Sequence, residues 1–391
     1  MVISMNKMKY SIKNFDFRLV IMLLMLSIFG VIIIGSAKES VQGKQIIGLI
    51  IGFVLMLILS FVDYHIILKI HWPIYFVNIA LLLLVMFIGD SSNNAQRWVE
   101  IAGIRFQPSE TSKILLILFY AKFIMKMKDK MKSPLVLLMA VLLFLPSWFL
   151  VYKQPDLSTS IILIILFAVM MYVGELGYKI VLAIIGLLIP AVLILVFLIM
   201  QPDQQIIDKY QKNRILAWIE PEKYELDLAY QTRNSIMAIG SGQLNGKGLD
   251  NNEVGSVKNG NYISEPQTDF IFAIVGEELG FVGCSFVIIM EMLIAGVCFH
   301  IAYYAPDIGG RVIAAAMGGL VCFQSFVNIS VTTGIMPNTG LPLPFVSYGL
   351  TSLVSLFIGM GFVLNVGLQR KRSSNIAKFD PVKDLDFDFD N

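Results

Sequence analysis

At 391 residues, 57% hydrophobic and only 15% charged, the chain has too little polar surface to be a soluble globular protein. Several apolar runs of roughly 18 or more residues are each long enough to cross a bilayer of about 30 Å. The formal charge of +2 says little by itself, and no nucleic-acid partner is expected.

Met1–Arg18 is short and basic (Lys7, Lys9, Lys13, Arg18) and leads into a first span over Leu19–Gly35. No small-residue cleavage site follows that run, so a retained span is expected, not a removed signal peptide. The second span covers about Gln45–Val62 and the third about Trp72–Gly89. A loop over Asp90–Phe106 carries NNAQRWVEIAGIRF, and QPSETSK then opens the fourth span, which runs to about Met125. KMKDKMK (Lys126–Lys132) is the strongest charge run in the chain.

Span five covers about Pro134–Tyr152, and a KQPD turn leads to span six at about Leu157–Val173. Span seven is about Lys179–Met200, after which Gln201–Thr268 is a polar excursion with no run able to span. Spans eight (to about Tyr303), nine (about Arg311–Gly334) and ten (about Phe345–Leu368) follow, and RKR at Arg370–Arg372 begins a tail ending in DLDFDFDN. That acidic tail buries too little apolar surface to offset its ordering entropy, so disorder is expected.

The expected fold is an all-α polytopic membrane protein of about ten transmembrane helices. It divides into a cytoplasmic N-terminus (1–18), a membrane domain (19–369) whose large extracytoplasmic loop (201–268) joins helices seven and eight, and a cytoplasmic tail (370–391). Lys and Arg in short loops prefer the cytoplasm. The basic N-terminus, KMKDKMK and RKR all fall on one side under this count, which puts the WVEIAGIRFQPSE loop, the KQPD turn, the long excursion and the PNTGLPLPFVS loop on the outer face.

Cys284, Cys298 and Cys322 lie in apolar segments away from any second polar ligand, so neither a disulfide framework nor a metal site is suggested. His65, His71 and His300 are scattered and read as interfacial or packing residues.

The stretch EPQTDFIFAIVGEELGFVG (Glu265–Gly283) gathers Glu265, Asp269, Glu277 and Glu278 where a polar segment re-enters an apolar one. Carboxylates at the edge of hydrocarbon are costly and therefore mark a site. The competing reading is a solvated helix start, where the dipole favours negative charge. Thr268–Tyr303 is too long for one span at 1.5 Å per residue. A break is expected near Gly276, Gly280 or Gly283, with Asp269–Glu278 as a short separate element at the membrane surface. Irregular backbone at that depth is tolerated only where it lines a cavity or is buried in protein.

In QPSETSK, Glu110 and Lys113 are three apart and share a helix face, while Pro108 suits the first turn and Ser109 can cap it. Lys113 either snorkels to the surface or, with Glu110, Arg97 and Trp98, lines a site. Asp156 reads as a helix-start acid or a site residue. Glu291 lies deep in span eight and must face protein or water, with no partner evident. IGSGQLNGKGL (Ile239–Leu249) has neither the strand–loop–helix setting nor the ending of a nucleotide-binding loop and reads as a flexible outer turn. In TGLPLPFVSYG (Thr339–Gly349), Ser347 and Tyr348 belong to a rigid loop or touch substrate.

The ordered set AQRW, RFQPSExxK, GSGxLxGKG, TDFIFAxxxEELGFxG and GLPLPFxSYG closely resembles the RodA/FtsW/SpoVE (SEDS) family of shape, elongation, division and sporulation proteins. The resemblance runs from span one to span ten, with the GKG element closer to RodA than to FtsW. It implies ten transmembrane helices and a peptidoglycan glycosyltransferase that works with a class B penicillin-binding protein. Such an enzyme polymerises lipid II, an undecaprenyl-pyrophosphate-linked disaccharide peptide, at the outer face of a bacterial cytoplasmic membrane.

On the matching positions the resemblance places Asp269, Lys113 and Glu110 in catalysis, and Arg97, Trp98, Gln107, Glu265, Gln267, Asp156, Ser347 and Tyr348 around the substrate. The chain departs from the family pattern at Gln267, where a His is usual, and at Leu350, where a second Gly is usual.

The chemistry asks for these residue types. A lipid pyrophosphate leaves without a protonating acid but needs positive charge, which Lys113 and Arg97 can supply with or without a divalent cation such as Mg or Mn. The attacking sugar hydroxyl needs a general base, for which Asp269 is the candidate. A contact with Lys113 is expected to keep that carboxylate ionised. Trp98 either stacks on a sugar ring or anchors the interface. Membrane lipids and the polyprenyl tails would occupy the span surfaces. A lipid II flippase and a catalytically inactive scaffold for a penicillin-binding protein are the alternatives.

Overall fold

The computed structural model describes residues 14–92, 95–101, 104–154, 156–177, 209–224, 228–250 and 262–370. The expected seventh span, most of the basic N-terminal segment, the acidic tail and parts of the excursion lie outside the described residues.

The first half of the chain forms α1 (Phe17–Ala37), α2 (Glu39–Ser60), the short α3 (Tyr64–Lys69) and α4 (His71–Ile88). After a small sheet come α5 (Pro108–Met127), α6 (Pro134–Lys153) and α7 (Leu157–Val173). The second half forms α8 (Lys209–Ile219), α9 (Leu228–Ser241), α10 (Ile271–Tyr303), α11 (Ile308–Thr332) and α12 (Leu350–Leu368). Six of these, α1, α2, α6, α10, α11 and α12, are long and apolar enough to cross a membrane, with shorter apolar runs at His71–Phe87 and Leu157–Val173. Together they make a multi-pass membrane protein. The twenty residues of α5 complete the correspondence with the expected spans outside the seventh.

Burial separates the bundle's centre from its lipid-facing rim. In the most apolar stretches of α12 and α11, 83% and 78% of residues are buried, against 28% in α2 and α6. α12 packs along α2, and α11 is wrapped by α10, α5 and α7. Gly52 and Gly361 are small enough to admit close approach, since a side chain at either would press on Phe357 or on the α2 backbone.

One expectation needs correction here. The loop Asp90–Phe106 is a small three-stranded antiparallel sheet, β1 (Asp90–Ser92), β2 (Ala95–Ile101) and β3 (Ile104–Phe106), set within an otherwise all-α fold. Trp98 pairs with Asp90, and Val99 pairs with Phe106. Val99 is buried between the half-buried Trp98 and the exposed Glu100, which fits a strand with one face packed on the bundle. Within the excursion, whose conformation the sequence leaves open, α8, a 3-10 turn (Pro221–Tyr224) and α9 fold.

The break expected in the eighth span falls at Gly280, where φ 62° and ψ −156° interrupt α10. This backbone region is accessible essentially to glycine alone. The segment before the break is not a surface element. Ile271–Glu278 is buried throughout, which excludes a solvated start for Glu277 and Glu278.

Candidate active site

Asp269 sits in the turn just before α10, with part of the residue reaching the surface and the carboxyl deeply enclosed. Its position is set from behind. The side-chain amide of Asn328 on α11 donates to the Asp269 carbonyl (2.8 Å) and to the Leu341 carbonyl (2.6 Å). Four residues earlier and on the same helix face, Gln324 donates to the Pro342 carbonyl (2.8 Å). Between these anchors Gly340 turns with φ 73°. A Cβ there would lie 3.2 Å from Asp269 Oδ2 and 3.7 Å from Arg214 Nη1, so the glycine leaves room where acid and guanidinium converge.

The Asp269 carboxylate accepts no hydrogen bond among the described residues. Burial pushes it up to about 6; the positive charges of Arg214 and then Arg97 oppose that rise, while Glu265 and Asp156 add to it. Arg214 also donates to the Asn338 carbonyl (3.3 Å), and Arg97 Nε donates to the Gln154 carbonyl (3.2 Å). The result is an acid of near-neutral pKa faced by two arginines, the combination a general base beside an anionic leaving group requires.

Lys113 does not meet Asp269. Its ammonium lies 2.8 Å from Glu110 Oε1 and 2.9 Å from Gln324 Oε1, and all three residues are buried. Glu110 accepts a further bond from Ser352 (2.7 Å). The expected partnership of Lys113 with the Asp269 carboxylate is therefore corrected, and so is snorkelling. A lysine inside a bundle must be paired to be tolerated, and here the i, i+3 glutamate satisfies it. Through Gln324 the pair still braces Pro342, on the same segment that borders Asp269.

Asp156 is the N-cap of α7, accepting from the Thr159 amide (3.2 Å), and is buried. It also receives Gln107 Nε2 and Ser109 Oγ, each at 3.3 Å. Ser109 thus donates to Asp156 and does not cap α5, whose N-cap residue is Gln107. Ser347 donates to the Thr268 carbonyl (2.6 Å), and the Tyr348 amide donates to the Gln267 carbonyl (2.9 Å). These two residues hold the Asp269 turn, which is the rigid-loop reading. Gln267 is buried with its side-chain oxygen unpartnered among the described residues. Glu265 is exposed at φ 52°, and Trp98 is half-buried on β2.

Sequence reasoning missed Arg214 and Asn328. Arg214 sits within the polar excursion and borders a cavity of about 510 Å³ between α8, α9 and Gly334–Asn338. Its walls mix Arg214, Arg233 and Glu222 with Trp218, Ile236 and Met237, so the cavity offers both charge and apolar surface and shares Arg214 with the surroundings of Asp269.

Comparison with known proteins assigns the chain to a family. Residues 8–372 match the family model for FtsW, RodA and SpoVE, described as cell cycle proteins. The chain is 30% identical to a probable peptidoglycan glycosyltransferase FtsW of Geobacter sulfurreducens, over 92% of this chain and 97% of that protein. It is 32% identical to the peptidoglycan glycosyltransferase MrdB of Escherichia coli, over 92% and 95%.

Among solved structures, a chain from work on how a peptidoglycan synthase complex coordinates polymerization and crosslinking superposes with a TM-score of 0.76. It is 26% identical and covers 90% of this chain and 97% of that one. The RodA rod-shape-determining protein of Thermus thermophilus superposes at 0.67, is also 26% identical, and covers 92% and 98%. With nearly its whole length matched by the family model, the chain belongs to the FtsW/RodA/SpoVE family.

Proposed function

We propose that this protein is a peptidoglycan glycosyltransferase that polymerises lipid II at the outer face of the cytoplasmic membrane. The observation that carries the reading is Asp269: a deeply set carboxylate with no side-chain hydrogen bond among the described residues, flanked by Arg214 and Arg97, beside a partly apolar cavity. In the proposed step Asp269 takes the proton of the acceptor sugar hydroxyl as its oxygen attacks the donor's anomeric carbon. The bond from that carbon to the lipid pyrophosphate breaks, and the pyrophosphate leaves with the electron pair. Arg214 and Arg97 face the charge that develops on it.

The proposed sidedness is supported by α5. It begins beside the site at Pro108 and ends at the basic turn Lys126–Lys132, some 30 Å away at 1.5 Å per residue. If the basic turn is cytoplasmic, the site is extracytoplasmic. A Mg or Mn ion is proposed only as arriving on the pyrophosphate. Among the described residues no group of three or more His, Cys, Asp or Glu is placed to hold a metal ion, and magnesium commonly keeps waters and substrate phosphates as most of its ligands. A class B penicillin-binding protein is the proposed partner, supported by the likeness to a chain of a synthase complex.

The test supplies labelled lipid II to the purified protein in proteoliposomes, with and without that partner, beside Asp269→Asn. Polymer from the wild type and none from the variant is expected. Lipid crossing without polymer would indicate a flippase, and neither activity would indicate a scaffold.

A further inference from the structure

The excursion residues Gly242–Gly248, which read as a flexible turn, instead fill the gap in α10. The amides of Lys247 and Gly248 donate to the carbonyls of Glu277 and Glu278, each at 3.0 Å. From the other side of the break, the amides of Phe281 and Val282 donate to the carbonyls of Gln243 (2.8 Å) and Leu244 (3.2 Å). A helix interrupted at Gly280 must leave carbonyls before the break and amides after it without intrahelical partners. Four of those groups are paired by this one loop.

The fit is backbone against backbone. A Cβ on Gly242 would overlap the Gly276 carbonyl, one on Gly246 would overlap Glu278, and one on Gly280 would overlap the Gly246 amide. Side-chain bonds close the same joint. Lys247 Nζ lies 3.0 Å from Glu277 Oε1, with the glutamate side chain only 4% exposed. Ser36, at the end of α1, donates to Glu278 and accepts from the Asp250 amide at 3.2 Å.

The segment so held, Ile271–Leu279, follows Asp269 directly. Asn328 fixes the carbonyl of that acid, but the direction in which the half-helix leaves the turn is set at its far end. We propose that Lys247 is a positioning residue: its ion pair with Glu277 closes a clasp that holds the half of α10 next to the Asp269 turn at the angle the reaction needs. The inference rests on the glycosyltransferase reading given above and adds to it a control point within the excursion, remote from the reacting atoms.

The test compares the full-length wild type with Lys247→Met and Lys247→Arg in proteoliposomes, by lipid II polymerisation and by amide exchange over residues 277–284. A displacement of about 1 Å far from the chemistry can cost on the order of a hundredfold in rate. Lys247→Met is therefore expected to lower kcat roughly ten- to a hundredfold, leave KM for lipid II nearly unchanged, and speed exchange at Phe281 and Val282. Lys247→Arg, which keeps the charge, is expected to restore most of kcat.

Unchanged kcat in Lys247→Met, a loss that arginine does not recover, or unchanged exchange would each overturn the proposal. A wild type that makes no polymer would sink the glycosyltransferase reading instead. The exchange arm would then still decide whether the clasp exists.

Discussion

Asn328 and Asp269 are joined by a hydrogen bond of 2.8 Å from the asparagine side chain to the aspartate main chain, so the acid is placed by its backbone and its carboxylate is left for chemistry. The same amide reaches Leu341 at 2.6 Å. Asn328→Leu would strand two enclosed carbonyls, at roughly 1–3 kcal/mol for each unsatisfied group. Lower thermal stability and at least a tenfold fall in kcat are the expected results, read by detergent-phase melting and by polymerisation.

The pH dependence of polymerisation should carry the signature of Asp269. A general base works ionised, and this carboxyl is pushed up to about 6 chiefly by burial. Activity should therefore fall as pH drops through about 6. Arg214 opposes the rise, so Arg214→Met should move the acidic limb to higher pH as well as slow departure of the pyrophosphate. A limb that stays in place in Arg214→Met would separate the two residues functionally.

Lys113 and Glu110 are predicted to behave as one structural unit. Removing either partner of a buried ion pair leaves an uncompensated charge and typically costs about 3–5 kcal/mol. Lys113→Met and Glu110→Gln should each lower the melting temperature sharply, while the double variant should regain much of the loss. If the double variant is stable yet inactive, the pair also serves the reaction. If it is stable and active, bracing Pro342 is its whole role.

At the opposite end of the bundle, His65 bridges Asp63 (2.8 Å) and Asp307 (2.6 Å). Burial works to lower the His65 pKa, but its bonds to Asp307 and Asp63 outweigh this and the net shift is upward. For both aspartates burial works to raise the pKa, and hydrogen bonds, from Gln369 and His65 to Asp63 and from His65, Gly310 and Tyr64 to Asp307, bring the net shift downward. A raised histidine contributes fully below its unfolded value of about 6.5 and loses that contribution as pH climbs through the folded value. The depressed aspartates contribute above about 3.9 and lose it as pH falls through their folded values. Melting temperature should accordingly decline in the wild type as pH climbs above about 6.5, and His65→Gln should flatten that decline.

What the sequence revealed is what depends on spacing along the chain. Apolar runs marked the spans, the three-residue step between Glu110 and Lys113 marked their pairing, and three nearby glycines in a segment too long for one span marked the break. Asp156 was readable as a helix-start acid because it precedes an apolar run. Contacts between distant segments were not readable. Arg214 is one arginine in a polar stretch until folding carries α8 to Gly340. Motif positions bring Lys113 and Asp269 to one site but do not say whether they touch, and the glutamate one turn away on the same helix is the nearer partner. The strands at Asp90–Phe106 are too short to stand out from a loop in sequence, and the GKG segment carries no local sign of order because its partners lie some thirty residues onward.

The repair of α10 at Gly280 means that a membrane helix owes its shape to a segment outside its own stretch of chain. A version with the excursion cut back to a short linker would leave the amides of Phe281 and Val282 without their partners Gln243 and Leu244. Grafting an excursion from a relative would succeed only if the graft brought an equivalent of Gln243–Gly248 in register. The excursion and the span it completes are therefore bound to change together, as a single heritable piece.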